Sequence, residues 1–225
     1  MSTILVVEDE DILREVIIDY LIEDGYQVLE AADGEKALEL FQSSSVDLAI
    51  LDIVLPKIDG WSVCRRIRKN SSIPIIILTA RSDEDDSLLG YELGADDYLI
   101  KPYSPRVLMA KVKRFLEKYT NTAADGMQIS LCDIVIHMGS RLVTVDGSVI
   151  NLTHTEFEIL SYLMQNKGIV ITRERLITKI WGYDFYGDEK TINSHIRNLR
   201  AKLGRKGSCI VTVIRTGYKF EEEQI

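Results

Sequence analysis

The stretch Val46-Asp47-Leu48-Ala49-Ile50-Leu51-Asp52-Ile53-Val54-Leu55-Pro56 constrains the fold more than any other. Its apolar residues continue on both sides of Ala49 without polar alternation, which reads as a strand buried on both faces of a parallel sheet. A carboxylate in the middle of such a strand would have no access to water. Asp52 is therefore expected at the strand's carboxyl end, where open α/β sheets form their ligand crevice. Pro56 then stops the strand and Asp59-Gly60 turns the chain.

The rest of the first half fits around that strand. Ile4–Val7 is a β-branched run followed by four carboxylates, Glu8-Asp9-Glu10-Asp11, with no basic residue until Arg14. A helix ending at Gly25, a strand Gln27–Ala31, a helix Gly34–Gln42 and, after Asp52, a helix near Trp61–Lys69 are expected. A second doubly buried strand, Ile75–Thr79, a polar helix Asp83–Leu93, a strand Asp97–Ile100 and a basic helix Ser104–Lys118 follow. Strands alternating with helices predict a doubly wound parallel sheet.

What ends each strand then matters. The first ends at Glu8 and Asp9, the third at Asp52, the fourth at Thr79 and the fifth at Lys101-Pro102, so these groups should meet at one sheet edge. Three carboxylates at one rim repel, and a hard divalent cation relieves them. Few protein ligands and room for water favour Mg²⁺ over Ca²⁺. With Lys101 beside them the set reads as a phosphoryl site in which Asp52 is the nucleophile.

These motifs, with Gly94-Ala95-Asp96-Asp97-Tyr98 before the lysine, resemble the receiver domain of two-component response regulators over residues 1–118. The resemblance implies a flavodoxin-like five-stranded sheet of order 2-1-3-4-5 and Asp52 as phospho-acceptor. It implies Mg²⁺ on Glu8, Asp9, Asp52 and the Ile53 carbonyl, with Lys101 pairing with the phosphoryl group. It also implies Thr79 and Tyr98 as a switch pair and a cis Lys101-Pro102 bond.

Residues 119–126 collect small and polar side chains and read as a linker. The charge changes there: 23 acidic and 14 basic residues lie in positions 1–120, against 12 and 13 beyond, in a chain of net charge −8. Segment 190–220 holds eight basic residues and no acidic one, which suggests a polyanion partner for one face. Cys64, Cys132 and Cys209 are odd in number and far apart, and read as buried free thiols rather than a disulfide or zinc set. No apolar run approaches the roughly 18 residues of a membrane span, and the start lacks a basic leader. The chain is expected to be cytoplasmic, with no membrane partner.

In the second half, short strands between residues 128 and 151 make a small antiparallel sheet with an Asp146-Gly147 hairpin turn. Thr153-x-x-Glu156 is a capping box opening a helix closed by Gly168, and a second helix runs from Thr172 to Trp181-Gly182. The third, about Glu189–Leu203, buries Ile192, Ile196, Leu199 and Leu203. Its other face is expected to offer Lys190, Thr191, Asn193, Ser194, His195, Arg197, Asn198 and Arg200 to duplex DNA. Ile210–Val213 and Tyr218–Phe220 flank a tip carrying Arg215 and Thr216, as in a winged helix.

Residues 127–225 are similar to the effector domain of the OmpR/PhoB family. The carrying segments include Leu152-Thr153-x-Thr155-Glu156-Phe157, Trp181-Gly182, Ile196-Arg197-x-Leu199-Arg200-x-Lys202-Leu203 and Gly217-Tyr218-Lys219-Phe220. Two departures stand out. The wing reads Ile214-Arg215-Thr216-Gly217-Tyr218 where the family has Arg-Gly-x-Gly-Tyr, and Ser87 and Val107 stand where the family pairs charges across a receiver dimer. Asp96, Asp97, Lys111 and Lys113 are still expected on that dimer face.

The reading is an α/β receiver joined to an α+β winged-helix domain: a phosphorylation-activated transcription regulator rather than an enzyme with a separate substrate. Its expected partners are a sensor histidine kinase, tandem DNA half-sites, a second copy of itself and, as the resemblance allows, RNA polymerase. Three alternatives remain: a regulator of the same fold that ignores phosphate, an effector that binds RNA or protein, and an aspartyl-phosphate phosphatase. The last lacks its second acid, because Val54 stands two residues after Asp52.

Overall fold

The computed structural model describes residues 1–80, 93–119, 127–182 and 190–222. The expected helix at Asp83–Leu93, with Ser87, and most of the 119–126 segment lie outside these residues. The chain divides into two compact units, Met1–Thr120 and Asn121–Ile225.

The first unit is built on five parallel strands, β1 (Thr3–Val7), β2 (Gln27–Ala31), β3 (Leu48–Asp52), β4 (Ile75–Thr79) and β5 (Asp97–Ile100), in the order β2-β1-β3-β4-β5. β3 and β4 are buried at every position, as their unbroken apolar runs require. Alternate side chains feed two separate cores. Leu5, Val7, Ala49, Leu51, Ile75 and Ile77 pack under α2 (Gly34–Ser43) and α3 (Gly60–Arg68). Ile4, Val6, Leu48, Ile50, Ile76 and Leu78 pack under α1 (Asp11–Glu23) and α4 (Pro105–Tyr119). The strand order reverses between β1 and β3, so their carboxyl ends open the crevice that the topology reserves for a ligand.

Gly94-Ala95-Asp96 serves the opposite end of that sheet. The Arg68 guanidinium donates to the Gly94 carbonyl (2.7 Å), the Ile73 carbonyl (2.6 Å) and Asp96 Oδ2 (2.6 Å), while the Ile75 N–H also reaches Asp96 Oδ2 (3.0 Å). A single arginine therefore ties the end of α3 to the starts of β4 and β5. Asp96 is fully buried in this knot, a satisfied charge whose loss would leave Arg68 uncompensated.

In the second unit β6 (Gln128–Leu131), β7 (Ile134–His137), β8 (Leu142–Val145) and β9 (Ser148–Ile150) form an antiparallel meander in chain order. Asp146 and Gly147, at φ 49° and 78°, form the two-residue turn between the last two. Three helices follow: α5 (His154–Gln165), α6 (Arg173–Trp181) and α7 (Lys190–Leu203). The capping box at the start of α5 is complete. Thr153 Oγ1 accepts from the Glu156 N–H, and Glu156 Oε2 accepts from the Thr153 N–H at 2.8 Å.

The terminal hairpin pairs β11 (Ile210–Val213) with β12 (Gly217–Phe220), and a third strand, β10 (Ile171–Thr172), completes the sheet on the far side of β12. That two-residue strand has no sequence signal of its own. It forms because Gly217 lacks a Cβ, which would otherwise collide with the Ile171 carbonyl. Side chains of all three helices and both sheets share one core.

Candidate functional site

Glu8 follows β1 directly and stays in its ladder through an N–H bond to the Ala31 carbonyl (3.1 Å). Asp52 is the last residue of β3. Glu8 is fully buried, Asp52 is 5% exposed, and Asp9 points into solvent. One carboxylate oxygen from each of the three lies within 4.8 Å of the others. Lys101 Nζ bridges the two buried acids, 2.7 Å from Glu8 Oε2 and 2.5 Å from Asp52 Oδ2. Its backbone N–H is fixed to the Thr79 carbonyl at 2.7 Å, and the Lys101-Pro102 bond is cis. Thr79 is buried at the end of β4.

The β3–α3 turn sets the remaining geometry. Asp52 Oδ1 accepts the Val54 N–H at 3.0 Å. Asp59 caps α3 by accepting the Ser62 N–H at 2.9 Å. Gly60 begins that helix against the Asp52 carbonyl, where any Cβ would collide. The Asp59-Gly60 pair is thus a helix start pressed onto Asp52 rather than a free turn.

Burial dominates the electrostatics. It pushes Glu8 up to about 7; the Lys101 hydrogen bond works against that rise and the Asp52 charge adds to it. Burial also disfavours the Lys101 ammonium, but hydrogen bonds to Asp52 and Glu8 outweigh it and raise the lysine's pKa. The donor set consists of hard oxygens, with Asp9 leaving one side to water. That suits a cation which keeps several waters, as Mg²⁺ does. The Ile53 carbonyl accepts the Gly60 N–H at 2.9 Å.

Tyr98, on β5, packs its ring against Trp61 of α3, centroids 5.9 Å apart and planes tilted by 43°. Sequence reading missed Trp61, although an aromatic residue one position after a helix-opening Gly that follows the Asp52 strand was a usable signal.

On α7 the aliphatic stripe is as expected, but the buried arc is wider and extends along one flank. Thr191, Ser194 and His195 are buried there, so the expectation that they face DNA is corrected. His195 stacks on Trp181 with centroids 5.5 Å apart, as a core residue. Asn193 accepts from the Tyr218 hydroxyl (2.6 Å) and from Arg173 Nε (3.3 Å). Arg200 donates to the Ile210 carbonyl (3.1 Å) and to Thr212 Oγ1 (2.8 Å). Both brace the helix against the hairpin. Lys190, Arg197, Arg215 and Thr216 are exposed and Asn198 is half-buried. Arg215 sits at the hairpin tip with φ 63°.

Three of the residues expected on the dimer face are instead buried within their own unit. Asp96 lies inside the Arg68 knot, and fully buried Asp97 accepts from Lys111 Nζ (2.7 Å) and Arg114 (2.9 Å) of its own chain, with Lys111 only 8% exposed. Of the expected residues described, Val107 and Lys113 remain on the surface.

A parallel sheet with this acidic rim, coupled to a winged-helix unit, defines a response regulator with receiver and DNA-binding domains. Residues 4–113 match the response regulator receiver domain and residues 147–220 match the family described as transcriptional regulatory protein, C terminal. The chain belongs to the OmpR/PhoB family of response regulators. It is 40% identical over 225 residues to the uncharacterized transcriptional regulatory protein YclJ of Bacillus subtilis, covering 98% of this chain and 99% of that one. It is 38% identical over 227 residues to the sensory transduction protein RegX3 of Mycolicibacterium smegmatis, covering 98% and 100%. Among solved structures, the response regulator DrrB, an OmpR/PhoB homolog of Thermotoga maritima, matches at TM-score 0.53 and 31% identity over 98% of this chain and 99% of that one. A mutant of RitR matches at TM-score 0.78 and 26% identity over 99% and 100%. No helix among the described residues is long and apolar enough to cross a membrane.

Proposed function

We propose that this response regulator is switched by phosphorylation of Asp52, with a histidine kinase as donor, and then binds tandem DNA half-sites as a dimer. The convergence of Glu8, Asp9 and Asp52 within 4.8 Å around the Lys101 ammonium carries this reading. Glu8, Asp9 and Asp52 would hold Mg²⁺, which when bound supplies charge neutralisation for phosphoryl oxygens. A carboxylate oxygen of Asp52 forms the new O–P bond as the donor's P–N bond breaks and its electron pair returns to the imidazole nitrogen. Lys101 then exchanges a carboxylate oxygen for a phosphoryl oxygen. The added charge draws the Thr79 hydroxyl, and the Tyr98 ring moves with it. The chain acts only on itself, so it has no separate turnover substrate.

On the effector unit, Lys190, Arg197 and Asn198 face the major groove, and Arg215 and Thr216 reach the adjoining backbone. RNA polymerase contact would follow from promoter binding. Full-length protein given Mg²⁺ and acetyl phosphate should gain the mass of one phosphoryl group on the peptide containing Asp52, and Asp52→Ala should not. Absence of that gain overturns the reading. Undiminished promoter occupancy and dimerisation in Asp52→Ala would instead support a phosphate-independent regulator.

A further inference from the structure

Arg14 is the first basic residue after the acidic run Glu8-Asp9-Glu10-Asp11, yet its bonds do not go to the carboxylates of the cation site. It braces the loop that carries them. Nη1 donates to the Glu8 main-chain carbonyl at 2.8 Å, Nη2 to Asp11 Oδ1 at 2.5 Å and Nε to Glu30 Oε2 at 3.4 Å. The Arg14 side chain is 13% exposed, whereas Asp11 and Glu30 are 79% and 63% exposed. One planar fork therefore ties the end of β1 to the first turn of α1 and to β2. The loop needs such a tie, because Glu10, the N-cap of α1, makes no side-chain capping bond.

We propose that Arg14 is the positioning residue of the cation site. By fixing the Glu8 carbonyl and holding Asp11 outward, it keeps the Glu8 and Asp9 carboxylates converged on Asp52 before a cation arrives. The inference rests on the Mg²⁺ site proposed above, and charge alone predicts the opposite result. Removing a nearby positive group should tighten binding of a divalent cation by Coulomb's law. Removing a brace should weaken it, as loss of an outer partner of metal ligands does, by about tenfold.

The test is calorimetric titration of the folded full-length protein with MgCl₂ alone. Arg14→Ala should raise the Mg²⁺ Kd about tenfold, and Arg14→Lys, which keeps the charge and one donor but loses the fork, should recover part of that loss. A Kd that is unchanged or lower in Arg14→Ala overturns the proposal. If Arg14→Ala does not fold, Arg14→Lys carries the test: about a threefold rise supports the brace, and an unchanged Kd overturns it. Wild-type protein that does not bind Mg²⁺ would overturn the cation site itself, a different failure from one confined to Arg14.

Discussion

The Trp61 indole and the Tyr98 phenol ring lie 5.9 Å apart, tilted by 43°, so the one tryptophan of the receiver unit reports directly on its expected switch aromatic. Movement of the Tyr98 ring on phosphorylation should change the packing and polarity around the indole. Acetyl phosphate with Mg²⁺ is expected to shift Trp61 emission in wild type and in Thr79→Ser, and to leave it unchanged in Asp52→Ala. A shift that persists in Trp61→Phe would come from Trp181 in the effector unit and would sink the idea.

The Lys101 ammonium bridges two buried acids, so its removal should be costly unless a cation replaces it. Lys101→Met leaves Glu8 and Asp52 facing each other with no positive partner between them. A loss of about 2 kcal/mol is expected from unpairing buried charges, discounted for the lysine's partial exposure. Without the ammonium the acids should bind Mg²⁺ more tightly, so at one fixed Mg²⁺ concentration the variant gains more stability than wild type. Urea melts should therefore show a deficit without Mg²⁺ that shrinks with it. An undiminished stability without Mg²⁺ would mean that the acids do not share the charge as the geometry says.

Arg197 and Arg200 lie three residues apart on α7 but have different roles. Arg200 is bonded to the Ile210 carbonyl and Thr212, whereas Arg197 is exposed. Arg197→Ala should weaken DNA binding by about 1–3 kcal/mol if it reads a base, or reduce the salt slope by about one if it holds a phosphate. Arg200→Ala should lower the melting temperature of the effector unit through loss of its carbonyl bond. The reverse pattern in fluorescence anisotropy and thermal melts would reassign the face.

The contrast between those arginines shows where the sequence was legible. Strong periodic patterns read correctly: the doubly buried runs at Leu48–Asp52 and Ile75–Thr79, the Thr153–Glu156 capping box and the Ile192-Ile196-Leu199-Leu203 stripe all appear in the structure. The acidic rim was legible because strand ends place their residues at one edge once the sheet is parallel. Pairings between distant segments were not. Nothing near Asp96 marks it as the partner of Arg68, 28 residues earlier, so the family resemblance alone placed it on the dimer face. Thr191, Ser194 and His195 are polar by type but lie on the flank where α7 meets its neighbours, which helical spacing alone does not specify. β10 exists only through the close approach of Gly217.

The cysteines offer a separate readout of each unit. Burial pushes the Cys64 thiol up to about 11, and the residue is fully buried within the receiver core. Because the thiolate is the reactive form, a raised pKa means slow alkylation that accelerates only as pH climbs towards that value. At pH 8 the native thiol should be ionised to only about one part in a thousand, so labelling must await unfolding. Cys209 is buried in the effector core, so burial alone should delay its labelling until unfolding, whereas half-buried Cys132 should label first. A ligand that binds only the receiver unit stabilises only that unit. Mg²⁺ with acetyl phosphate is therefore expected to slow iodoacetamide labelling of Cys64 by about a hundredfold at saturating concentration, and to leave Cys209 within about twofold. Peptide mapping of labelling against time would decide. Equal protection of both thiols would place ligand stabilisation across the whole chain, and no protection of Cys64 would remove the phosphoryl site from the receiver unit.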